Sequence, residues 1–224
     1  MSNYYDSHSL QITAQWRDIA YSDHSLKVVC GLLEDIRREY FKADAKLRWV
    51  DVGCGLGRNA LVAKKLGLSY TGIDSSVRHV EACRSAYPGE TFLCEDWLAH
   101  SGRYDVVTFI SSLHHFPDWQ AALKKAFELV DAGGVVMVDH EANRFFAALF
   151  RFYSVYIRRI DVEVIGKVEI HWLAKPSILP EELPPGETQY HWDYFPLLGR
   201  LGIRTRWKPL GRFFESYRKI MVKQ

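Results

Sequence analysis

Apolar residues along this chain fall into two kinds of pattern, short continuous runs and sets with helical spacing. The first helical set lies within residues 1–45 and comprises Val28, Val29, Leu32, Leu33 and Ile36. Their spacing places them on one face of a helix, with charged residues from Glu34 to Lys46 on the solvent side. The pattern therefore predicts an N-terminal helical segment that packs against the rest of the protein.

From residue 47 onward, apolar runs and helical sets alternate. The runs predict strands at 47–52, 69–73, 91–94, 104–110 and 135–138, and the helical sets predict helices at 58–66, at 77–86 and from Trp119 to Gly133-Gly134. Alternation at this pace is typical of a parallel sheet with helices on both faces. Right-handed crossovers then make the sheet doubly wound.

The last third of the chain follows a different pattern. Residues 143–159 have helical spacing, 161–187 are irregular, and a short helix is expected at 193–201. Two final runs, 203–210 and 214–222, predict strands joined by so short a turn that they must be antiparallel. We therefore expect an α/β, mostly parallel seven-stranded sheet that ends in an antiparallel C-terminal strand. The predicted regions are a helical cap at 1–45, a ligand-binding core at 46–142, an acceptor-side helix and insert at 143–192, and closing elements at 193–224.

Composition adds limits to this picture. With 224 residues, of which 48% are hydrophobic and 25% are charged, the chain fits one globular domain with additions. Its net charge of +2 is too balanced for a protein that coats nucleic acid, so nucleic acid is not the expected partner. The tail 196–224 is locally basic, with eight Lys and Arg residues against one acid. An anionic acceptor molecule or RNA therefore remains an alternative partner for this segment, beside a solvated outer face.

The cysteines and the apolar runs indicate the compartment. Cys30, Cys54, Cys83 and Cys94 form no CxxC pair, so neither a zinc knuckle nor a redox centre is indicated. Scattered thiols fit a reducing compartment. The chain shows neither a signal-peptide pattern nor an apolar run long enough to span a bilayer. We expect a cytoplasmic protein with no transmembrane segment.

The sharpest motif is the glycine-rich run at 50–57, Val-Asp-Val-Gly-Cys-Gly-Leu-Gly, which ends the first predicted strand and opens a helix. Glycines at such a turn let the backbone approach a ligand, and the helix N-terminus offers free N–H groups. Asp74 ends the next strand, where a carboxylate can accept hydrogen bonds from ribose hydroxyls. Asp96 ends the third strand beside Trp97, an acceptor and an aromatic face suited to adenine.

Two kinds of nucleotide cofactor fit a glycine loop of this type. Dinucleotide sites use GxGxxG, whereas this chain has GxGxG, with Gly57 one position early. It also carries Asp51 two residues before the first glycine. A carboxylate there would repel a pyrophosphate, but it suits a cofactor with a cationic amino group.

On these residues the chain resembles the class I S-adenosylmethionine-dependent methyltransferase family, small-molecule type. Residues 51–57 match its first motif, Asp74 its ribose acid, Asp96 its adenine-side acid and 111–116 its fourth-strand motif. The resemblance implies S-adenosyl-L-methionine as cofactor, S-adenosyl-L-homocysteine as product, and 46–142 as the cofactor-binding core. It implies cofactor contacts at Asp51, Gly53, Cys54, Gly55, Gly57, Asp74, Ser75, Asp96, Trp97 and Ser111.

The acceptor chemistry is expected at the ends of the fourth and fifth strands. His114 and His115 follow the fourth strand, whose end faces the ligand crevice in an open α/β sheet. A hydroxyl acceptor needs its proton removed, and histidine titrates near neutrality. His115 is favoured as the base because related enzymes often carry histidine there; bracing of the next helix is the alternative. His140 or Glu141, after the fifth strand, can also touch the acceptor.

Several features of the chain bear on its partners. No acid lies between Ser111 and Pro117, so no metal site is predicted. By resemblance, Tyr4, Tyr5 and His8 form a lid over the cofactor. The segment 144–159 carries one stripe of arginines beside many aromatic residues, typical of an acceptor pocket, of peripheral lipid contact, or of a buried helix whose arginines reach solvent. Nothing in the sequence indicates an oligomeric state.

We therefore expect methyl transfer to a small-molecule acceptor, with oxygen as the preferred atom and an apolar or aromatic acceptor. One alternative is an RNA or protein methyltransferase, favoured by the basic tail, although the Asn/Asp-Pro-Pro-Tyr pattern of base-amino methyltransferases is absent from the fourth-strand motif. Another is a protein that binds the cofactor without methyl transfer, as a regulatory subunit or a pericyclic-reaction catalyst.

Overall fold

The structure of the protein is a computed structural model that describes residues 23–42, 44–142, 152, 156, 178–193, 201–211, 213–214 and 216–224. The expected lid of Tyr4, Tyr5 and His8 lies outside the described residues, as does the arginine stripe of 144–159. Within that stripe's segment only Phe152 and Tyr156 are described. Both rings are exposed, and their centroids lie 5.0 Å apart.

The described elements are five α-helices and eight strands. The helices are α1 (Asp23–Tyr40), α2 (Asn59–Leu66), α3 (Val77–Ala86), α4 (Trp119–Leu129) and α5 (Lys208–Gly211). The strands are β1 (Arg48–Val52), β2 (Ser69–Asp74), β3 (Thr91–Cys94), β4 (Tyr104–Ile110), β5 (Val130–Ala142), β6 (Glu187–His191), β7 (Arg204–Thr205) and β8 (Ser216–Val222). They form one sheet in the order β3-β2-β1-β4-β5-β8-β6-β7.

The first five strands are parallel, and their side chains alternate between two apolar layers. On β5, Val136 and Val138 join one buried cluster, while Val135 and Met137 join the other. The second cluster also holds the apolar face of α1, including Leu33 and Ile36. Burial on both faces explains why these strands appear as continuous apolar runs, and it confirms the doubly wound α/β fold.

The antiparallel half differs from the prediction. Strand β8 pairs antiparallel with β5, as expected, but β6 lies between β8 and β7, so the predicted hairpin of 203–210 and 214–222 is wrong. Only Arg204–Thr205 pairs within the first of those runs, because Pro209 has no N–H for a strand ladder and Lys208–Gly211 closes a helical turn instead. Among the described residues the sheet therefore has eight strands rather than seven, the eighth being a two-residue edge.

A buried ionic network joins β5 to the antiparallel strands. Arg218 on β8 donates from Nη2 to Oδ2 of Asp139, at 3.2 Å, and to Oδ2 of Asp193, at 3.1 Å. His191 Nε2 lies 3.0 Å from Asp139 Oδ1, and Arg204 Nε donates to Asp193 Oδ1 at 3.0 Å. Arg218, Asp139 and Asp193 are all at most 1% exposed. These residues are far apart in sequence, so the network could not be predicted from it.

No helix among the described residues is long and apolar enough to cross a membrane.

Replacing Arg218 with Met tests the network. The variant leaves Asp139 buried without a guanidinium partner and leaves Asp193 with only Arg204, and we expect the free energy of unfolding to fall by about 3–5 kcal/mol. Arg206→Met is the matched control, because this arginine follows the edge strand β7 of the same antiparallel half, is 70% exposed and pairs with Glu187 at the surface. We expect the control to cost about 1 kcal/mol or less in urea denaturation. Equal losses in the two variants would contradict a structural role for the network.

Candidate active site

The glycine loop lies at the carboxyl end of β1, where the strand turns into α2. Gly53, Gly55 and Gly57 have φ values of 73°, 54° and 68°, in the left-handed region that favours glycine. A Cβ on Gly57 would stand 2.6 Å from Cε1 of Phe92. The loop therefore needs glycine both for its backbone shape and for its fit against β3.

Asp74 ties this loop to the end of β2. Its Oδ2 accepts the N–H of Gly55 at 2.9 Å, and its Oδ1 accepts the N–H of Ser76 at 2.9 Å. Ser76 in turn begins α3, where its side chain accepts the N–H of His79. The carboxylate thus lies at the mouth of the glycine loop, with its side chain 13% exposed. This position suits a group that accepts hydrogen bonds from ligand hydroxyls.

Asp51 occupies a different position from the one expected of a residue that faces a ligand. It is 2% exposed beneath the loop. Its carboxylate accepts hydrogen bonds from Thr108 Oγ1 at 3.0 Å, Asn59 Nδ2 at 2.9 Å and Tyr70 OH at 3.1 Å. Burial raises the pKa of this carboxyl despite the three donors. These contacts speak against direct pairing of Asp51 with a cationic cofactor group and indicate that it fixes the base of the loop.

The adenine-side prediction divides into two parts. Asp96 is exposed after β3 and accepts the N–H of Leu98 at 2.9 Å. Trp97 does not flank this position, because its ring is 2% exposed in the core and its Nε1 donates to the carbonyl of Ala122 at 2.9 Å. Leu98, which the sequence did not single out, is 43% exposed beside Asp96. The apolar surface near this acid therefore comes from Leu98 rather than from Trp97.

Cys54 and Ser75 are two further residues for which cofactor contacts are predicted. Cys54 is buried next to Cys83, and its hydrogen bond with that thiol, followed by burial, raises the pKa of Cys54 well above its usual value. A thiol in this state stays protonated and is a poor nucleophile. Ser75 is exposed after β2, and its carbonyl lies 3.9 Å from Cys94 Sγ.

The loop after β4 brings the predicted histidines to the same end of the sheet. Ser111 has a φ of 55°, and its N–H donates to the carbonyl of Asp139 on β5 at 2.9 Å. Ser112 Oγ donates to the carbonyl of Val52, directly before the glycine loop, at 2.6 Å. A single helical turn, Leu113–His115, follows. The glycine loop and the histidine turn are therefore linked through one serine.

The two adjacent histidines differ in their surroundings. His114 is 4% exposed, whereas His115 is half-buried. Their ring centroids lie 4.2 Å apart, with the planes inclined by 46°. Only His115 of this pair has the exposure that contact with an acceptor requires.

A β-bulge brings a buried glutamate to these histidines. Val138 faces Lys219 and Glu141 faces Tyr217, so three steps along β5 match two steps along β8. His140, half-buried with a φ of 59°, lies within this bulge. Two strand residues separated by one normally share a face. The extra residue of the bulge breaks this rule and turns Glu141 to the face opposite Asp139. Period-2 spacing alone would have placed both acids on one side.

Glu141 forms a buried pair with His114. The Nδ1 atom of His114 lies 3.1 Å from Oε1 and 3.0 Å from Oε2, and the two side chains are 4% and 3% exposed. Burial raises the pKa of Glu141 to about 8, although the backbone N–H groups of His114 and Leu113 and the charge of His140 lower it. The sequence placed Glu141 after the fifth strand but contained no signal for this partner.

A glycine loop at the end of β1, a carboxylate at the end of β2 and polar side chains at the ends of β4 and β5 define the class. This is the Rossmann-like fold of S-adenosylmethionine-dependent methyltransferases. The profile of a methyltransferase domain matches residues 23–174, more than half of the chain. The chain belongs to this methyltransferase domain family.

Two comparisons describe its relatives. The ubiquinone biosynthesis O-methyltransferase of Psychrobacter cryohalolentis is 29% identical over 127 residues, 47% of this chain and 49% of that protein. The enzyme of the same name from Coxiella burnetii is 25% identical over 139 residues, 58% and 56% of the two chains. The chain thus matches about half the length of these curated relatives.

Solved structures extend the similarity of fold to nearly the whole chain. The plantazolicin methyltransferase in complex with a pentazolic desmethylplantazolicin analogue and S-adenosylhomocysteine has a TM-score of 0.70 at 16% identity, over 99% of this chain and 93% of that one. The magnesium protoporphyrin IX methyltransferase of Synechocystis with bound S-adenosylhomocysteine has a TM-score of 0.61 at 16% identity, over 99% and 96%. At this identity the likeness shows the fold.

The pKa of Glu141 predicts a pH dependence of stability. It is about 8 in the folded protein against an ordinary value of 4.5, so the folded state holds this proton more tightly. The stabilisation is present below about pH 4.5 and is lost as pH rises through 8. The melting temperature of wild type should therefore fall relative to that of Glu141→Gln between pH 5.5 and pH 9 (roughly the window of this titration). Parallel curves in thermal denaturation would contradict the assignment.

Proposed function

We propose that the protein is an S-adenosylmethionine-dependent methyltransferase that methylates an oxygen atom of a small-molecule acceptor. One juxtaposition carries the proposal: the glycine loop with Asp74 lies beside the histidine turn, linked to it through Ser112. A methyl-donor site and a proton-accepting imidazole thus belong to the same edge of the sheet. The curated relatives are named O-methyltransferases, which supports the same chemistry.

The residues present fit the cofactor. The positive-φ glycines form a shallow loop that admits the methionine part, and Asp74 offers a carboxylate to the ribose hydroxyls. Asp96 would accept from the adenine amino group, and Leu98 would provide apolar contact with the ring. Asp51 and Trp97 support this site from the interior rather than touch the ligand.

The cofactor supplies a methyl group on a positively charged sulfur. In the transfer the acceptor oxygen forms a bond to the methyl carbon, the carbon–sulfur bond breaks, and sulfur keeps the electron pair. The acceptor hydroxyl must lose its proton, and a ring nitrogen of His115 takes it. His140, half-buried in the bulge, would orient the acceptor. The remaining task of the protein is alignment of the two reactants.

An apolar or aromatic acceptor fits what is described of the segment after β5. Phe152 and Tyr156 are 56% and 68% exposed, with their rings in contact. We assign acceptor selection to 143–192 and cofactor binding to 46–142, with 1–45 as the cap and 193–224 completing the sheet. The four cysteines are all free thiols, in keeping with work in a reducing cytoplasm.

Isothermal titration with S-adenosylmethionine, S-adenosylhomocysteine and NAD tests the cofactor. We expect both adenosyl compounds to bind and NAD not to bind. Asp74→Asn should weaken S-adenosylhomocysteine about tenfold or more, because charged hydrogen bonds to the ribose are lost. Asp118→Asn is the control, since this aspartate also accepts a backbone N–H, at the start of α4, but lies outside the glycine loop. Binding of NAD, or none of the adenosyl compounds, would overturn the proposal.

Methylation of a panel of phenols and catechols tests the acceptor chemistry. His115→Gln should lower kcat by about 10²–10⁴ for a phenol of ordinary acidity, because the proton acceptor is removed. A nitrophenol that is already ionised should lose much less. The affinity for S-adenosylhomocysteine should stay unchanged in the variant. Cofactor binding without methylation of any acceptor would favour a binding protein over an enzyme, and an equal loss for both phenols would exclude His115 as the base.

A further inference from the structure

We propose that Glu141 is a positioning residue that sets the place of His115 by holding the turn Leu113–His115. The inference rests on the proposed function, in which His115 accepts the proton. Glu141 itself is 2% exposed and lies behind His114, so it does not reach the acceptor. Its action on the reaction passes through the turn and through the His114 ring.

The contacts of Glu141 with this turn are several. Both carboxylate oxygens lie within 3.1 Å of His114 Nδ1, and the backbone N–H groups of Leu113 and His114 face the carboxylate closely enough to lower its pKa. The turn therefore contacts this side chain directly through the His114 ring, with the backbone of Leu113 and His114 beside it. Because His115 is the next residue of the same turn, its backbone is fixed as well.

The His114 ring carries the restraint to His115. The carboxylate fixes the orientation of His114, and the two imidazole rings lie with centroids 4.2 Å apart. A ring that stands this close limits the rotamers open to its half-buried neighbour. His114 is thus the link between a fully buried acid and the exposed part of the site.

The β-bulge in β5 brings the side chain of Glu141 to the turn Leu113–His115. Without the bulge at Asp139–Glu141, this carboxylate would share the face of Asp139, which pairs with Arg218 and His191. The bulge instead sends the two acids to separate partners, one in the ionic network and one under the histidine turn. Burial disfavours the charged form of a carboxylate, so an acid buried at this position carries a cost that the rest of the fold must offset.

A double-mutant cycle in the full-length protein tests the proposal. The variants are Glu141→Gln, His115→Gln and both together, with Asp131→Asn as control. Asp131 is a carboxylate at the opposite end of the same strand, bound to Arg48. We measure kcat and KM for a phenolic acceptor, and the dissociation constant of S-adenosylhomocysteine.

Glu141→Gln should lower kcat about tenfold or more, with the affinity for S-adenosylhomocysteine unchanged and the folded protein at least as stable above neutral pH. In the His115→Gln background the same substitution should have little further effect, because the two residues act as one unit. The control should leave kcat unchanged. An equal loss in both backgrounds, or no loss in wild type, would overturn the positioning role while leaving His115 as the base.

A measurement without turnover separates this proposal from the proposed function. In histidine-labelled protein, the ring signals of His115, identified by their disappearance in His115→Gln, should shift in Glu141→Gln and stay in place in Asp131→Asn. A shift in a protein that methylates no acceptor would uphold the positioning and reject the function. Unmoved His115 signals would reject the positioning whatever the activity.

Discussion

One buried carboxylate holds the cofactor side of this fold together. Asp51 on β1 accepts hydrogen bonds from β2 through Tyr70, from β4 through Thr108 and from α2 through Asn59. The glycine loop begins two residues later, so its start is fixed to both neighbouring strands and to the helix that follows. A carboxylate with three donors is held in one orientation, and the left-handed glycines can then turn the backbone without loss of position. Loop, Asp74 and Ser112 all take their places from this base.

The turn Leu113–His115 depends on a different feature, the β-bulge in β5. Strict alternation along a regular strand places two residues that are separated by one, such as Asp139 and Glu141, on the same face. The bulge in β5 breaks that alternation once, at His140, and so separates Asp139 from Glu141. Asp139 then anchors the antiparallel strands through Arg218, while Glu141 supports the turn that carries His115. The site is thereby built against both halves of the sheet.

Much of this could be predicted from sequence, and the limits have physical reasons. Most strands and helices of 47–138 follow from hydrophobic spacing, although the helix predicted to end at Gly133-Gly134 stops at Leu129 and β5 already begins at Val130. The glycine loop with Asp74 follows from residue type and position. Local patterns failed where tertiary contacts decide. Trp97 and Asp51 are residue types that often contact ligands, yet both side chains are buried in the protein interior. Strand β6 inserts between two runs that are adjacent in sequence, and the pairing of Glu141 with His114 depends on one extra residue.

The buried acids at the glycine loop and at the end of β5 differ in the kind of partner they have. Near the glycine loop the buried acid Asp51 is surrounded by neutral hydrogen-bond donors, namely Asn59, Tyr70 and Thr108. At the end of β5, Asp139 pairs with Arg218 and Glu141 pairs with His114. A buried acid that can share a proton with a neighbouring imidazole keeps its surroundings near neutral while it holds the turn.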